Sequence, residues 1–358
     1  MSELRVRPRR RVQSIQEYHP PLGGRGGLRL DFNENTVASS PRVRAVLGAI
    51  SAEALTLYPE RGPVEEMVAQ QLGLQPGQLA LTNGVDEAIH VLFSAFLDEG
   101  DELLLPVPTY TMYEVYASAT EASVVRVRSG GDLQFPCERL MEAITPRTKI
   151  IAIANPNSPT GAVVARETLM EIAARAPQAL LLVDEAYFHF YGKTVIDLVG
   201  KIPNLVVART FSKAYGLAGL RIGALAASEE VLRWVRRVLS PYSVNALALA
   251  CLPAAVEDAE YVEKYVAEVC AARAEFERAM DGFGIRRWPS EANFILIEVG
   301  AQHREFATAM HARGVLVRDR SSDPGCDGCV RITIGTREQM RRAAVVMRVV
   351  LDELKGVE

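Results

Sequence analysis

Two side chains with the chemistry of an active site stand just beyond apolar runs of the sequence. Asp184 directly follows the run 180–183, and Lys213 comes shortly after the run 204–209. A carboxylate is costly to bury there unless it is paired, and a desolvated lysine is a nucleophilic amine. A helix cap or ion pair for Asp184, and a lysine that reaches from the strand end to water, are the structural alternatives.

A second group of residues has the features of an anion-binding site. The run 79–81 leads through the segment 82–87, with a glycine at position 84, into a helical stretch. A strand followed by a glycine and a helix start presents free backbone N–H groups to an anion. The hydroxyls of Thr210 and Ser212 and the guanidinium of Arg221 add groups that bind phosphate. A plain helix cap and a structural ion pair are the alternatives.

Together these groups match the needs of one ligand. Hydroxyls, helix-start amides and an arginine bind its phosphate, and a carboxylate pairs with a protonated ring nitrogen. A tyrosine hydroxyl and a polar group of the rigid loop 155–161, which holds two prolines and a glycine, contact a ring oxygen. A lysine forms an imine. That ligand is pyridoxal phosphate.

Apolar runs alternate with amphipathic helical stretches over residues 27–245. Runs that are apolar on both faces and separated by helices indicate a mostly parallel sheet covered on both sides. In such sheets ligands collect at the carboxyl ends of the strands, where the polar groups above stand. We therefore predict an α/β fold whose large domain holds a seven-stranded, mostly parallel sheet. The expected strands are 79–82, 102–105, 123–128, 149–154, 180–183, 204–209 and 220–226.

The pattern changes after residue 245. Apolar residues then recur at helical spacing, and short strand-like runs follow. This predicts a smaller α+β domain over 246–358, while residues 1–26 form an Arg-rich N-terminal arm. The expected elements are a helix over 261–280, a strand over 293–297, a helix over 303–313, strands near 315 and 330, and a closing helix over 337–354.

Composition argues against several classes of protein. The 358 residues carry a formal net charge of −4, so no general affinity for nucleic acid is implied. No apolar run approaches the roughly 20 residues of a membrane helix. Five scattered cysteines do not form a disulfide framework, and a reducing cytoplasm fits them best. Cys326 and Cys329 are spaced as CxxC, but no second pair or histidines suit a metal, which favours incidental loop cysteines over a metal or redox role.

Three motifs resemble the class I/II aminotransferases of pyridoxal-phosphate fold type I. They are N-P-N-S-P-T-G at 155–161, D-E-A-Y at 184–187 and S-K-A-Y-G-L-A-G-L-R at 212–221. The resemblance covers nearly the whole chain outside the N-terminal arm. Further segments resemble the histidinol-phosphate aminotransferase branch: 31–35, 57–60, 83–87, 108–110, 317–319 and 330–336.

The resemblance implies a role for each matching residue around the cofactor. Lys213 would hold pyridoxal phosphate as an imine, Asp184 would face the pyridine nitrogen and Tyr187 the ring hydroxyl. Tyr110 would stack on the ring. The family usually has asparagine where this chain has Ser158, so either that hydroxyl or the neighbouring Asn157 would bond the ring oxygen. The phosphate would be bound by Gly84, Val85, Asp86, Thr210, Ser212 and Arg221.

The resemblance also implies a substrate site and a partner. Tyr58 would reach the phosphate of a neighbouring subunit, so a homodimer with shared active sites is implied. Arg331 matches the arginine that grips the anionic group of the substrate. Arg318 matches a second arginine near a substrate phosphate, or it forms a surface pair with the next residue. Tyr18 and Asn33 would border the substrate.

The predicted activity is transamination with ping-pong kinetics between an amino donor and a 2-oxo acid. Histidinol phosphate and 2-oxoglutarate are the expected pair, which places the reaction in histidine biosynthesis. An aromatic or other amino-acid aminotransferase is one alternative, and a lyase of the phosphothreonine decarboxylase kind on the same scaffold is another. A ligand-sensing regulatory protein is disfavoured because no stretch is left for a DNA-binding module, and a nicotinamide enzyme because no G-x-G-x-x-G follows a strand.

Overall fold

The computed structural model describes residues 6–15, 17, 19, 24 and 26–355. Tyr18, expected near the substrate, lies outside them. The strands of the described part are β1 (Leu28–Arg29), β2 (Leu79–Thr82), β3 (Glu102–Val107), β4 (Ser123–Arg128), β5 (Thr148–Ala154), β6 (Leu180–Asp184), β7 (Leu205–Thr210), β8 (Gly223–Ala227), β9 (Arg286–Arg287), β10 (Phe294–Glu298), β11 (Val315–Leu316), β12 (Arg318–Asp319) and β13 (Cys329–Thr333).

Helices separate most of these strands and cover both faces of the larger sheet. None of the described helices is long and apolar enough to cross a membrane. The helices are α1 (Arg10–Ser14), α2 (Pro41–Gly48), α3 (Ala52–Thr56), α4 (Gly62–Gln71), α5 (Gly84–Phe96), α6 (Met112–Ala119), α7 (Cys137–Glu142), α8 (Arg166–Arg175), α9 (Phe188–Tyr191), α10 (Glu229–Val235), α11 (Ala246–Glu257), α12 (Ala259–Asp281), α13 (His303–Ala312) and α14 (Arg337–Lys355).

The seven expected strands form one sheet in the order β2-β8-β7-β6-β5-β3-β4. All pairings are parallel except those of β8, which runs antiparallel to both β2 and β7. Apolar side chains on the two faces of the seven-stranded sheet form two separate cores, as the runs without polar alternation predict. The prediction of a mostly parallel seven-stranded α/β sheet is confirmed.

A second, antiparallel sheet with the order β12-β13-β10-β9 packs with α12, α13 and α14 around another core. The strand β1 pairs in parallel with β11, and Leu30 is buried in this same core. The helix α11, in contrast, packs into a core of the large sheet. The domain boundaries predicted at 27 and 246 stay predictions.

Cys326 and Cys329 are buried, free thiols in a small apolar cluster with Leu133, Trp288 and Leu296. The contact with Cys329, together with burial, raises the pKa of the Cys326 thiol. A thiol that stays protonated is a poor nucleophile and a poor metal ligand. The incidental role favoured from the spacing of the two cysteines stays a prediction.

Candidate active site

A cavity of about 440 Å³ opens at the carboxyl ends of the parallel strands. The ends of β5, β6 and β7 reach it, and so do the start of α5 and the segment 32–34. This is the position expected for a ligand of an open α/β sheet. Ten of the side chains predicted around the cofactor line it: Val85, Asp86, Tyr110, Ser158, Asp184, Tyr187, Thr210, Ser212, Lys213 and Arg221.

Asp184 ends β6 and is almost fully buried. Its Oδ2 accepts a 2.7 Å hydrogen bond from the hydroxyl of Tyr113 in α6, and its Oδ1 accepts one of 3.0 Å from the N–H of Ala186. Burial raises the pKa of Asp184 to about 6, although both hydrogen bonds act in the opposite direction. A cation bound in the cavity would pair with this carboxylate and favour its ionised form.

Lys213 lies in the turn that follows β7, where the N–H of Gly216 donates to its carbonyl. Its Nζ donates a 3.0 Å hydrogen bond to the carbonyl oxygen of Phe32. A backbone carbonyl is a neutral acceptor, so within the described part of the chain the amine is held in place without an ion pair. This arrangement leaves the amine at the cavity wall for covalent chemistry.

The start of α5 forms a tight cradle for an anion. Gly84 has φ +78°, and a Cβ there would meet Arg221 Nη2 at 2.7 Å. A Cβ at Gly223 would meet the backbone of Gly84 and Val85 at 2.7 Å, so only glycines allow this approach. The first N–H groups of a helix lack intrahelical partners and point at bound anions.

Asp86 connects the cradle to the ring of Tyr110. Arg221 Nη2 lies 2.9 Å from one carboxylate oxygen of Asp86, and the hydroxyl of Tyr110 donates to the other at 2.6 Å. Asp86 therefore forms an ion pair rather than a plain helix cap. The guanidinium of Arg221 is fixed beside the free amides of α5, where a phosphate would add a second anionic partner.

The loop 155–161 brings Ser158 to the cavity and turns Asn157 away. The Asn157 amide already has three hydrogen bonds to other residues: its Nδ2 donates to the Pro108 carbonyl and to Thr160 Oγ1, and its Oδ1 accepts from Thr109 Oγ1. Ser158 Oγ accepts a 3.0 Å bond from Arg331 Nη1, which leaves its hydroxyl hydrogen to donate. Of the two alternatives, Ser158 is the one placed to contact a ligand.

Arg331 is a buried cation in β13. It donates to Ser158 Oγ and to the Asp31 carbonyl, and its Nε has no hydrogen-bond partner among the described residues. No described carboxylate forms an ion pair with it. Burial, and then the nearby positive charge of Arg320, lower the pKa of Arg331 to about 10. A buried arginine in this condition is a ready receptor for an anion.

Arg318 is the cross-strand neighbour of Arg331. Its guanidinium lies 5.1 Å from the centre of the Phe32 ring and lines an adjoining cavity of about 690 Å³. In the next residue, Asp319, one carboxylate oxygen lies 3.0 Å from Nδ1 of His303, and the other accepts a hydrogen bond from the N–H of Ser321. The adjoining cavity meets the first one at Tyr110, which lines both.

Asn33 and Tyr58 are two further predicted site residues that do not line the first cavity. Asn33 is buried behind Tyr187, whose hydroxyl accepts a 2.8 Å hydrogen bond from Asn33 Nδ2. Tyr58 is 79% exposed, and its ring centre lies 4.5 Å from that of Tyr242. In a single chain neither residue touches the ligand position assigned to it, and the role of Tyr58 needs a second subunit.

Known proteins with similar sequences and folds agree with this geometry. The family model for "Aminotransferase class I and II" matches residues 26–347. The chain is 36% identical over 356 residues to a histidinol-phosphate aminotransferase of Symbiobacterium thermophilum, covering 98% of this chain and 97% of that protein. It is 31% identical over 315 residues to one of Thermoanaerobacter sp. (strain X514), covering 87% of this chain and 89% of that protein.

Solved structures show the same fold. Histidinol-phosphate aminotransferase from Sinorhizobium meliloti in complex with pyridoxal-5'-phosphate has a TM-score of 0.86 over 97% of this chain and 98% of its own, at 23% identity. Aspartate aminotransferase from Thermus thermophilus with maleate has a TM-score of 0.79 over 91% and 92% of the two chains, at 24% identity.

The chain belongs to the class I and II aminotransferases. It is a pyridoxal-phosphate-dependent enzyme of fold type I, and the resemblance found in its motifs is confirmed. The glycine cradle, the buried carboxylate and the lysine at the cavity wall fit this cofactor.

Proposed function

We propose that this chain transfers the amino group of histidinol phosphate to 2-oxoglutarate, as a step of histidine biosynthesis, with pyridoxal phosphate bound through Lys213. The observation that carries the proposal is one cavity shared by the Lys213 amine, the buried Asp184 carboxylate and the start of α5. The names of relatives that cover almost the whole chain support this choice of donor.

Each residue of the cavity has a distinct task. When bound, pyridoxal phosphate supplies an electron sink next to the carbon that carries the transferred nitrogen. Asp184 stabilises the positive charge of the ring nitrogen, and Tyr187 and Ser158 donate to the ring oxygen. Lys213 would hold the cofactor through its amine and, as a free amine, would hold and move the proton at the reacting carbon. Because the donor leaves as a carbonyl before the acceptor binds, the kinetics are ping-pong.

Two arginines favour a substrate that carries a carboxylate or a phosphate. Arg331 is buried without an ion pair among the described residues, and its fork suits a carboxylate or a phosphate. Arg318, its cross-strand neighbour, faces the adjoining cavity. The acceptor 2-oxoglutarate and the donor histidinol phosphate differ in their anions, and a planar guanidinium can pair with both.

We also propose a homodimer with shared active sites in the cytoplasm. Tyr58 is exposed and its ring lies against that of Tyr242, and Leu55 and Leu57 near it in the sequence are exposed as well. Exposed apolar groups that form a patch mark association surfaces. Tyr58 would contact the cofactor phosphate of the partner subunit. Five free cysteines suit a reducing compartment.

Borohydride reduction followed by peptide mapping tests the cofactor, and spectra identify the donor. Reduction of cofactor-saturated protein is expected to fix the cofactor on Lys213, and a cofactor found elsewhere or nowhere contradicts the proposal. Histidinol phosphate, phenylalanine, phosphothreonine and glutamate are then added in parallel. Bleaching of the visible band by histidinol phosphate supports the proposed donor. Bleaching by phenylalanine alone indicates an aromatic aminotransferase, and release of carbon dioxide from phosphothreonine indicates a lyase.

A further inference from the structure

A chain of buried hydrogen bonds joins the Tyr187 hydroxyl, at the cavity wall, to Thr333 in β13. Asn33 stands between them, with Nδ2 at 2.8 Å from Tyr187 Oη and Oδ1 at 3.1 Å from Thr333 Oγ1. Asn33 is 1% exposed and Thr333 is fully buried. Water therefore does not compete for these bonds, and their directions are set by the protein alone.

One fixed donor determines the direction of the chain. The backbone N–H of Asn33 can only donate, and it donates to Thr333 Oγ1 at 2.9 Å. The single hydroxyl hydrogen of Thr333 then needs an acceptor, and Asn33 Oδ1 is the one in contact. This bond selects one orientation of the Asn33 amide, because the two ends of an amide differ only in the partners they can satisfy.

The backbone around Asn33 keeps the amide in place. Asn33 has φ +55°, a left-handed conformation that asparagine tolerates better than most residues. Asn293 donates from Nδ2 to the Asn33 carbonyl at 3.1 Å, and the N–H of Thr333 donates to the Leu30 carbonyl. The side chain can therefore change its bonding mainly by turning its amide over.

The orientation of this amide decides where Tyr187 directs its own hydrogen. Because Asn33 Nδ2 donates to Tyr187 Oη, the hydroxyl hydrogen must point away from Asn33. In the described part of the chain no acceptor contacts this hydroxyl, and Tyr187 lines the cavity. The hydrogen is thus available to a ligand.

We propose that Thr333 and Asn33 are positioning residues that keep Tyr187 a hydrogen-bond donor to the cofactor. This inference rests on the proposed function, since it requires pyridoxal phosphate at Lys213. A ring oxygen that accepts from Tyr187 holds the proton of the neighbouring lysine–cofactor linkage less firmly. If the amide turned over, Tyr187 would donate to Asn33 Oδ1, and the linkage would keep its proton to higher pH.

Absorption spectra of the cofactor-bound enzyme, recorded as a function of pH, test the relay. Tyr187→Phe removes the donor, and its visible band is expected to titrate about one pH unit above that of the wild type. Thr333→Val removes the hydroxyl that selects the amide orientation, so its titration should move toward that of Tyr187→Phe. The double variant should shift no further than Tyr187→Phe alone. Thr333→Ser keeps the hydroxyl and should titrate like the wild type.

A wild-type titration in Thr333→Val or in Tyr187→Phe, or additive shifts in the double variant, would overturn the relay. If Thr333→Val does not fold, Thr333→Ala removes the same hydroxyl with a smaller side chain. Its titration should then move toward that of Tyr187→Phe, and a wild-type titration would overturn the relay. A wild-type protein in which borohydride fixes no cofactor on Lys213 refutes the proposed function instead, so the two failures can be told apart.

Discussion

The hydroxyl of Tyr113 donates a 2.7 Å hydrogen bond to Asp184 Oδ2, and both side chains are buried. Tyr113 lies in α6, 71 residues before its partner. Together with the N–H of Ala186, this bond opposes the rise that burial causes in the pKa of Asp184. The carboxylate that is proposed to face the ring nitrogen therefore depends on a residue outside the family motifs.

Tyr113→Phe removes this bond and keeps the ring. The pKa of Asp184 then rises further, because a hydrogen bond to the charged form had lowered it. For a carboxyl group, a higher pKa means that ionisation is lost at higher pH. The acidic limb of the kcat/KM profile is expected to move up by about one pH unit. Tyr116→Phe, on the same helix, is the control, and equal profiles for the two variants would contradict the role of Tyr113.

Asp184→Ala removes the negative charge that is proposed to stabilise the cationic ring. Loss of one preorganised electrostatic contact typically costs about 100-fold or more in kcat. We expect a loss of at least that order, measured at saturating cofactor, with a thermal melt to show that the variant is folded. A near-normal rate in a folded protein would argue against any role of Asp184 in the chemistry.

Lys213→Ala is expected to abolish turnover while the fold survives. Among the described residues the amine bonds only the neutral carbonyl of Phe32, so its removal leaves no charged partner of theirs unpaired. Steady-state rates and circular dichroism are the measurements, and Lys201→Ala, at an exposed lysine, is the control. Full activity of Lys213→Ala would end the hypothesis of covalent catalysis.

Shared active sites predict complementation between two impaired variants. Tyr58→Ala damages the site of the partner subunit, whereas Lys213→Ala damages its own. Mixed and allowed to exchange subunits, the two variants form a heterodimer with one complete site, and activity should return. Lys213→Ala mixed with Asp184→Ala is the matched control, because that heterodimer has no complete site. No recovery in the first mixture, with exchange verified by mass, contradicts sharing.

Arg209→Met tests a buried ion pair just behind the site. Arg209 Nε lies 2.7 Å from Glu185 Oε2, and both residues are at most 5% exposed. The variant leaves a buried carboxylate without its cation, which typically costs about 3–5 kcal/mol of unfolding free energy. Denaturant unfolding measures the loss. Adding Glu185→Leu should restore part of it, and a double variant less stable than Arg209→Met would contradict this account.

The sequence predicts the strands and the residues at their ends better than it predicts the hydrogen bonds that orient those residues. Apolar runs without alternation predict the seven strands, and a polar residue at the end of such a run predicts its place at the cavity, as for Asp184 and Lys213. The contact of Thr333 with Asn33 spans 300 residues, and no local pattern indicates it. Tyr113 belongs to none of the motifs of the sequence, and its contact with Asp184 comes only from the fold.

The choice between Asn157 and Ser158 illustrates the same limit. A motif gives the residue types of a loop but not how the loop satisfies its own polar groups. Here three hydrogen bonds, one within the loop to Thr160 and two with Pro108 and Thr109 after β3, occupy the Asn157 amide, while Ser158 lines the cavity. The pairing of β1 with β11 is likewise set by contacts between distant parts of the chain.

The segment 28–33 contacts both the smaller antiparallel sheet and the turn after β7 of the large sheet that carries Lys213. The N–H of Leu30 donates to the Leu316 carbonyl and its own carbonyl accepts from the N–H of Thr333, while the carbonyl of Phe32, two residues on, accepts from Lys213. An N-terminal deletion running through Asn33 would strip an edge strand, a wall of the cavity and the acceptor of the reactive amine in one cut. Shortened versions of this enzyme made for crystallisation or immobilisation should therefore keep everything from Leu28 onward.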